Sequence, residues 1–241
     1  MFSFFKTKSQ DPNPILTDIH SHLLPQLDDG VSSLQESEQL IQQFIKLGYS
    51  KLITTPHIMS DFYRNEPSQI HEKLDSLNQH LKDQQIDISV EAAAEYYLDE
   101  VLIEKVKKNE QLLTFGSRYL LFETNFLTEP FQLNEFIFAL TTQGYRPVLA
   151  HPERYQYLVN NFDKVEDLRN RGVLFQINIP SIVGAYSKPI QKLAILLIDK
   201  GYVEFLGSDC HNQLQMEVLK TASKDKNFKK ALNLPLLNRS L

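Results

Sequence analysis

The sequence predicts an α/β protein whose parallel sheet closes, or nearly closes, into a barrel, with an open sheet as the alternative. Three observations carry this prediction. Seven short apolar segments alternate strictly with helix-like stretches, and each is bounded by turn or polar residues. The segments are nearly continuously apolar, as strands buried on both faces should be. Polar and charged residues gather at their C-terminal exits, where a βα barrel keeps its chemistry.

The first strand is Leu16-Ile19. A helix follows: Leu34, Leu40, Ile41, Phe44, Ile45 and Leu47 recur at spacings of three and four, Ser32 and Ser33 offer caps, and Gly48 ends the run. Leu52-Thr55 is the second strand, with a mobile connection expected over Ser60-Glu66. The polar stretch Ile70 to Asp83 reads as a helix with a solvated face, which accounts for His71 and His80. Strands then fall at Ile88-Ala94, Leu120-Glu123, Pro147-Ala150, Val173-Asn178 and Val203-Ser208. Ile190 to Lys200 is another amphipathic helix, closed by Gly201. In the C-terminal stretch, Leu232, Leu234, Leu236 and Leu237 should pack, while Pro235 interrupts any helix.

With 241 residues, 42% of them hydrophobic, the chain suits one large domain. Residues 1–14 read as a flexible N-terminal segment and 15–241 as a single barrel domain, with no linker or repeat between them. A net charge of -5 without a Lys/Arg block argues against nucleic acid as a partner. The single cysteine, Cys210, excludes an internal disulfide and a thiolate-rich zinc site, and makes a cytoplasmic location the default expectation. The apolar start Met1-Phe5 is too short for a secretory segment, and Leu193 to Ile198 is far short of a membrane span, so no membrane insertion is expected.

Five of the seven histidines stand at strand exits: His20, His22, His57, His151 and His211. Glu95 and Glu123 occupy the same position on two further strands, and Asp209 shares the last exit with His211. His20 and His22 are two apart, so an extended chain points both to one face; Asp209 and His211 repeat that spacing. One such histidine alone would be a satisfied core residue, but the shared position of all of them points to a metal site. Mixed imidazole and carboxylate donors suit Mn, Fe, Zn or Mg. Eight or nine donors exceed one tetrahedral ion, so two or three metals are expected.

Asp18-Ile19-His20-Ser21-His22-Leu23-Leu24-Pro25, followed by Asp28-Asp29-Gly30, resembles the opening motif of the polymerase and histidinol phosphatase (PHP) superfamily. Thr55-Pro56-His57, Ala94-Glu95-Tyr96-Tyr97-Leu98, Ala150-His151-Pro152-Glu153-Arg154-Tyr155 and Ser208-Asp209-Cys210-His211-Asn212 resemble, within it, the bacterial manganese-dependent protein-tyrosine phosphatases of capsule and exopolysaccharide operons. The likeness runs from about residue 15 to 212. It implies a distorted seven-stranded (β/α)7 TIM-like barrel, the PHP fold, with three divalent ions: manganese first, with iron, zinc or magnesium as alternatives. By matching motif positions, His20, His22, Glu95 and Asp209 would hold one ion, and Glu95 would bridge to a second held by Glu123 and His151. His57, His211 and an aspartate from Asp28-Asp29 would hold the third; Asp29 is preferred, with Asp28 shaping the turn before Gly30.

The resemblance further implies a phosphotyrosine protein as substrate, the C-terminal tail of a bacterial exopolysaccharide tyrosine kinase, and a tendency to form homo-oligomers. Three ions would bring about +6 against about -4 from Glu95, Glu123, Asp209 and Asp29, an anion-attracting pocket in an acidic protein. A metal-bridging water of lowered pKa would supply hydroxide for in-line attack. Arg154 is the expected phosphoryl-binding residue, with a surface salt bridge to Glu153 or Glu129 as the alternative. Relatives carry an arginine shortly after the final His-Asn, whereas Asn212 leads here to Gln213-Leu214-Gln215-Met216; Arg64 is a second candidate substrate contact. Tyr63, Tyr96, Tyr97, Phe126, Tyr155 and Tyr186 could frame an aryl group or serve the core equally well.

A cysteine-dependent phosphatase would place an arginine six residues after its nucleophile, but Cys210 is followed there by Met216, so Cys210 reads as a packing residue. The remaining alternatives are a small-molecule phosphatase of the histidinol-phosphate kind and a PHP scaffold acting only as a binding module.

Overall fold

The computed structural model describes residues 14–241. The expected flexible segment, residues 1–14, therefore lies outside the described residues except for Pro14.

All seven expected segments form strands, and every pairing between strands is parallel. A three-stranded sheet has β1 (Thr17–Asp18), β2 (Lys51–Thr54) and β4 (Ser89–Ala92) in that order. A six-stranded sheet has β3 (His57–Ile58), β5 (Glu95–Tyr97), β6 (Tyr119–Glu123), β7 (Arg146–Ala150), β8 (Leu174–Asn178) and β9 (Phe205–Gly207) in that order.

The count is nine rather than seven because two segments continue into short further strands, β3 and β5. Pro56 has no N–H to donate, so the ladder is interrupted between β2 and β3. The break beside it, at Ala93-Ala94, is spanned by two backbone bonds, Ala93 N–H to Thr54 O (2.9 Å) and Glu95 N–H to Pro56 O (3.2 Å). Direction and register thus carry across both interruptions. His57 stands opposite Glu95, and Tyr97 opposite Glu123.

The exits of β1 and β9 are also joined. Ser21 and Cys210 form an isolated parallel bridge, with Asp209 N–H bonded to His20 O (2.7 Å) and His22 N–H to Cys210 O (2.9 Å). Beneath this, the Asp18 carboxylate accepts the Ser208 N–H (2.8 Å) and the Ser208 hydroxyl (2.9 Å).

Helices cover the outside. In α1 (Leu34–Leu47) the Ser33 side chain caps the first turn by accepting the Glu36 N–H, and Gly48 ends the helix at a φ of 97°, where a Cβ would be strained. Leu40, Ile41 and Phe44 form its buried stripe. α2 (Pro67–Asp83) packs beside α1. Here His80 departs from the solvated face expected of it: it is half-buried and pairs with Glu38 of α1 at 2.8 Å, whereas His71 is exposed. α3 (Glu100–Lys107), α4 (Leu133–Thr142), α5 (Phe162–Asn170), the short α6 (Ile179–Ile182) and α7 (Lys188–Lys200) follow in turn. α8 (Gln213–Ala222) is capped by Asn212 and α9 (Lys226–Ala231) by Asp225.

Because strand side chains alternate, the core has two parts. Leu120, Phe122 and Leu149 join the helices in a large outer cluster running from Ile15 to Leu236. Ile19, Ile53, Ala93, Leu121, Val148, Ala150 and Phe205 form a smaller inner cluster beneath the strand exits. At the C-terminus Leu232 and Leu236 are buried, Leu234 packs on the outer cluster and Leu237 on the inner one. Among the described residues, no helix is long and apolar enough to cross a membrane.

Candidate metal centre

Glu95 opens β5 and is fully buried, an expensive position for a carboxylate unless cations surround it. Four imidazoles do. Glu95 Oε2 lies 3.1 Å from His20 Nε2, 3.6 Å from His22 Nε2 and 3.2 Å from His57 Nδ1, and Oε1 lies 3.0 Å from His151 Nε2. Glu123, at the exit of β6, reaches His57 Nδ1 (3.2 Å) and His151 Nε2 (3.9 Å). Asp209 Oδ1 approaches His20 Nε2 (3.4 Å), His22 Nε2 (3.6 Å) and His211 Nδ1 (3.6 Å).

The nine expected donors fall into four overlapping groups whose ligand atoms lie within 4.8 Å of one another: His22-Asp29-His57-His211, His20-His22-Glu95, His20-His151-Asp209 and His57-Glu95-Glu123. Every residue named from the sequence belongs to at least one. His20, His22, His57 and Glu95 each belong to two.

The two aspartates of Asp28-Asp29-Gly30 separate cleanly. Asp28 is committed to the protein: it meets His22 Nδ1 at 2.7 Å and accepts the backbone N–H groups of His57 and Gly30, both at 2.9 Å. Asp29 faces the site, with Oδ1 at 3.6 Å from His57 Nε2 and 3.5 Å from His211 Nε2. Gly30 is required by space, since a Cβ there would stand 2.3 Å from His22 O.

The backbone bends sharply to aim two donors. His151 (φ 35°) and Asp209 (φ 50°) both adopt the left-handed region that β-exit residues other than glycine rarely occupy. Such local strain collects at functional sites.

This density of charge shifts the titration of its members. Burial alone would lower the His20 imidazole, but Glu95 and Asp209 outweigh it and raise it to about 10. His57 is likewise raised to about 10 against its own burial by Glu95 and Glu123. In turn, His20 and its neighbours hold the Glu95 and Asp209 carboxyls well below their ordinary range despite full burial.

Arg154 follows the exit of β7 and reaches over this cluster. Its Nη1 donates to Asp209 Oδ2 (3.1 Å), and its guanidinium lies between the Phe126 and Tyr186 rings, 4.7 and 4.9 Å from their centroids. The surface salt bridge weighed for it from the sequence does not form: Glu153 is buried and accepts the Asn178 N–H (3.0 Å), while Glu129 pairs with Lys164. Phe126, Arg154 and Tyr186 line a cavity of about 280 Å³ together with Asp29, Glu123, His151 and His211.

Arg64 is elsewhere. It bonds Ser60 O and lines a neighbouring cavity of about 400 Å³ with Ile58, Tyr96 and Lys105. Asn212 and Gln215 line the metal-site cavity after His211. Of the aromatics, Tyr63 stacks on His57 (5.5 Å) and Phe126 on His151 (5.7 Å). Tyr96 and Tyr155 serve the core instead; their hydroxyls accept the N–H groups of Leu113 (2.8 Å) and Thr124 (3.2 Å). Cys210 is buried with its sulfur 3.6 Å from Asn212 O, in line with packing.

Two residues escaped the sequence reading. Gln176 and Asn178 lie buried on one face of β8, the strand whose exit carries neither histidine nor acid, and both bond into the donor cluster. Their spacing of two within an apolar strand was the available signal.

A parallel α/β fold with a buried histidine-carboxylate cluster at its strand exits has the architecture of a metal-dependent enzyme. The comparisons narrow this. Residues 16–225 match the family model CpsB_CapC, described as capsular polysaccharide synthesis, CpsB/CapC, and the chain belongs to that family. CapC of Staphylococcus aureus is 32% identical over 197 residues, 82% of this chain and 77% of that one. The tyrosine-protein phosphatase YwqE of Bacillus subtilis is 29% identical over 197 residues, 82% of this chain and 78% of that one. Among solved structures, one from a study of YwqE of B. subtilis and CpsB of Streptococcus pneumoniae, metal-dependent tyrosine phosphatases, superposes with a TM-score of 0.77 at 28% identity, covering 91% of this chain and 94% of that one.

Proposed function

We propose that this protein is a metal-dependent phosphomonoesterase that hydrolyses phosphotyrosine on a protein. The observation that carries the reading is the convergence of nine donors around Glu95 with one guanidinium poised above them. Family membership and the structural likeness to metal-dependent tyrosine phosphatases support it.

The residues fit divalent ions. The Nδ1 atom of His151 is buried without a hydrogen-bond partner, and the buried carboxylates Glu95 and Glu123 crowd within 3.2 Å of His57 Nδ1, a mixed imidazole-carboxylate set that a divalent cation would complement. We assign three ions, manganese first: His20, His22, Glu95 and Asp209 to one, Glu95, Glu123 and His151 to the second, Asp29, His57 and His211 to the third. When bound, such ions supply Lewis acidity and lower the pKa of water enough to make a nucleophile at neutral pH.

The chain supplies the rest. Asp28 fixes the His22 ring through Nδ1, leaving Nε2 turned to the site. Arg154 spends one N–H on Asp209 and offers its remaining donors to phosphoryl oxygens, while the flanking rings hold its plane. Phe126 and Tyr186 are partly exposed at the rim, positioned to receive an aryl group. An aryl ester releases a phenolate whose parent acid has a pKa of about 10, so it needs less proton donation than an alkyl ester. Arg64, in its separate cavity, would contact residues flanking the phosphotyrosine.

At the scale of the chain, we read the nine strands as seven staves of one distorted (β/α)7 barrel, with β2 running into β3 and β4 into β5. Support comes from the bonds that span both breaks and join β9 to β1. Residues 15–241 would be one domain, since one core cluster runs from Ile15 to Leu236. We place the protein in the cytoplasm, acting on the tail of a capsule-associated tyrosine kinase and able to form homo-oligomers.

The test is phosphate release from a phosphotyrosine peptide by Mn²⁺-loaded protein. Chelation, or His151→Ala in a protein that remains folded, should abolish it. Full turnover after complete metal removal would refute the mechanism, and faster turnover of histidinol phosphate would refute the substrate.

A further inference from the structure

Gln176 and Asn178 carry no charge and titrate at no ordinary pH, yet both are fully buried directly beside the metal centre. Their contacts run in one direction. His20 Nδ1 lies 2.7 Å from Gln176 Oε1, Gln176 Nε2 donates to Asn178 Oδ1 (2.9 Å), and Asn178 Nδ2 donates to Asp209 Oδ2 (2.6 Å). Each amide accepts at one end and donates at the other, so its orientation is fixed by its neighbours. Turning either amide over would set donor against donor or oxygen against oxygen.

We propose that Gln176 and Asn178 are positioning residues that select which atoms of His20 and Asp209 face the metal. With Gln176 Oε1 as acceptor, the His20 proton resides on Nδ1, and Nε2 presents its lone pair to the site. At the other end, Asp209 Oδ2 is occupied by Asn178 and by Arg154 Nη1 (3.1 Å). Oδ1 is the oxygen left facing the three imidazoles. One line of bonds therefore ties two metal donors and the phosphoryl-binding arginine into a single arrangement.

Independent support comes from Gly207 on β9. A Cβ there would stand 2.7 Å from Gln176 Nε2 and 2.7 Å from His20 Cβ. Only glycine leaves the path from β8 to His20 open, so the sequence accommodates this amide in two places.

The inference rests on the metal-centre reading, and the test separates the two. Mn²⁺ is titrated into the full chain and the free ion followed by its electron paramagnetic resonance signal, for wild type, Gln176→Leu, Asn178→Ala and the double variant. Each single change should weaken one class of site about 10- to 100-fold and leave the others in place. The double variant should lose no more than the poorer single, because both interrupt the same line. Should Gln176→Leu fail to fold, Gln176→Glu keeps the volume and the acceptor for His20 but cannot donate to Asn178, and should show a loss confined to the same class of site and no larger than that of Asn178→Ala.

Variants that titrate like wild type, a uniform loss across all classes, or additive losses would overturn the positioning role while leaving the centre intact. A wild-type chain that binds no Mn²⁺ would instead overturn the metal-centre reading itself.

Discussion

A carboxylate buried among four imidazoles fixes much of what this site can do. Glu95 lies within 3.6 Å of four imidazoles, and Arg154 is the one guanidinium among the residues lining the cavity above it. Arg154→Ala should cut turnover of a phosphotyrosine peptide about 10²- to 10³-fold, the usual effect of losing a donor to developing charge. Metal content, measured by elemental analysis, should be unchanged; loss of an ion together with activity would mean that Arg154 serves mainly to hold Asp209. The donors themselves were legible because histidines and acids recur at one structural position and because a period of two put His20 beside His22. Gln176 and Asn178 were not, since a neutral amide in an apolar strand looks the same whether it organises a site or merely satisfies the backbone. The choice between Asp28 and Asp29 needed three dimensions: only the bonds from Gly30, His57 and His22 show that Asp28 is already engaged.

The elements matter to function mainly through where they stop. Ser33 capping α1 was readable from the sequence, and Ser33→Ala should cost about 1 kcal/mol of stability in urea unfolding. Activity of the folded variant should be untouched, because α1 contributes no side chain to the cavity. The interruption dividing β2 from β3 had a signal in Pro56, whereas the one dividing β4 from β5 was invisible, because Ala93-Ala94 leaves the apolar pattern unaltered and only backbone pairing reveals it. His80 was misread for a related reason: a polar helix shows nothing in its own sequence of the neighbouring Glu38 that half-buries it.

Over the whole molecule, the centre couples metal binding to stability. With unfolded imidazoles near 6.5 and His20 and His57 near 10 in the fold, their contribution to the metal-free protein is full below about 6.5 and is lost as pH rises through about 10. The melting temperature of EDTA-treated protein should therefore fall between pH 7 and 10 from this cause. Metal requires neutral imidazoles, so the extra stability from Mn²⁺ should grow over the same interval. A metal-free melting temperature that stays flat or climbs across that window would contradict this arrangement. The overall architecture was the most legible level of all, since alternation and apolar continuity suffice to call a parallel α/β fold.

The bridge between Asp18 and Ser208 joins residues 190 positions apart, and this has a consequence during synthesis. At roughly 5 to 20 residues per second, His20 and His22 leave the ribosome about 10 to 40 seconds before Asp209 and His211 exist. By its end the nascent chain holds every donor except Asp209 and His211, and its first strand is paired on one side only, with β2. A ribosome that stalls before residue 208 would therefore release a product unable to close its seam or complete its centre. The donor set, and with it any hydrolytic power, is therefore complete only once the last strand exit has been made.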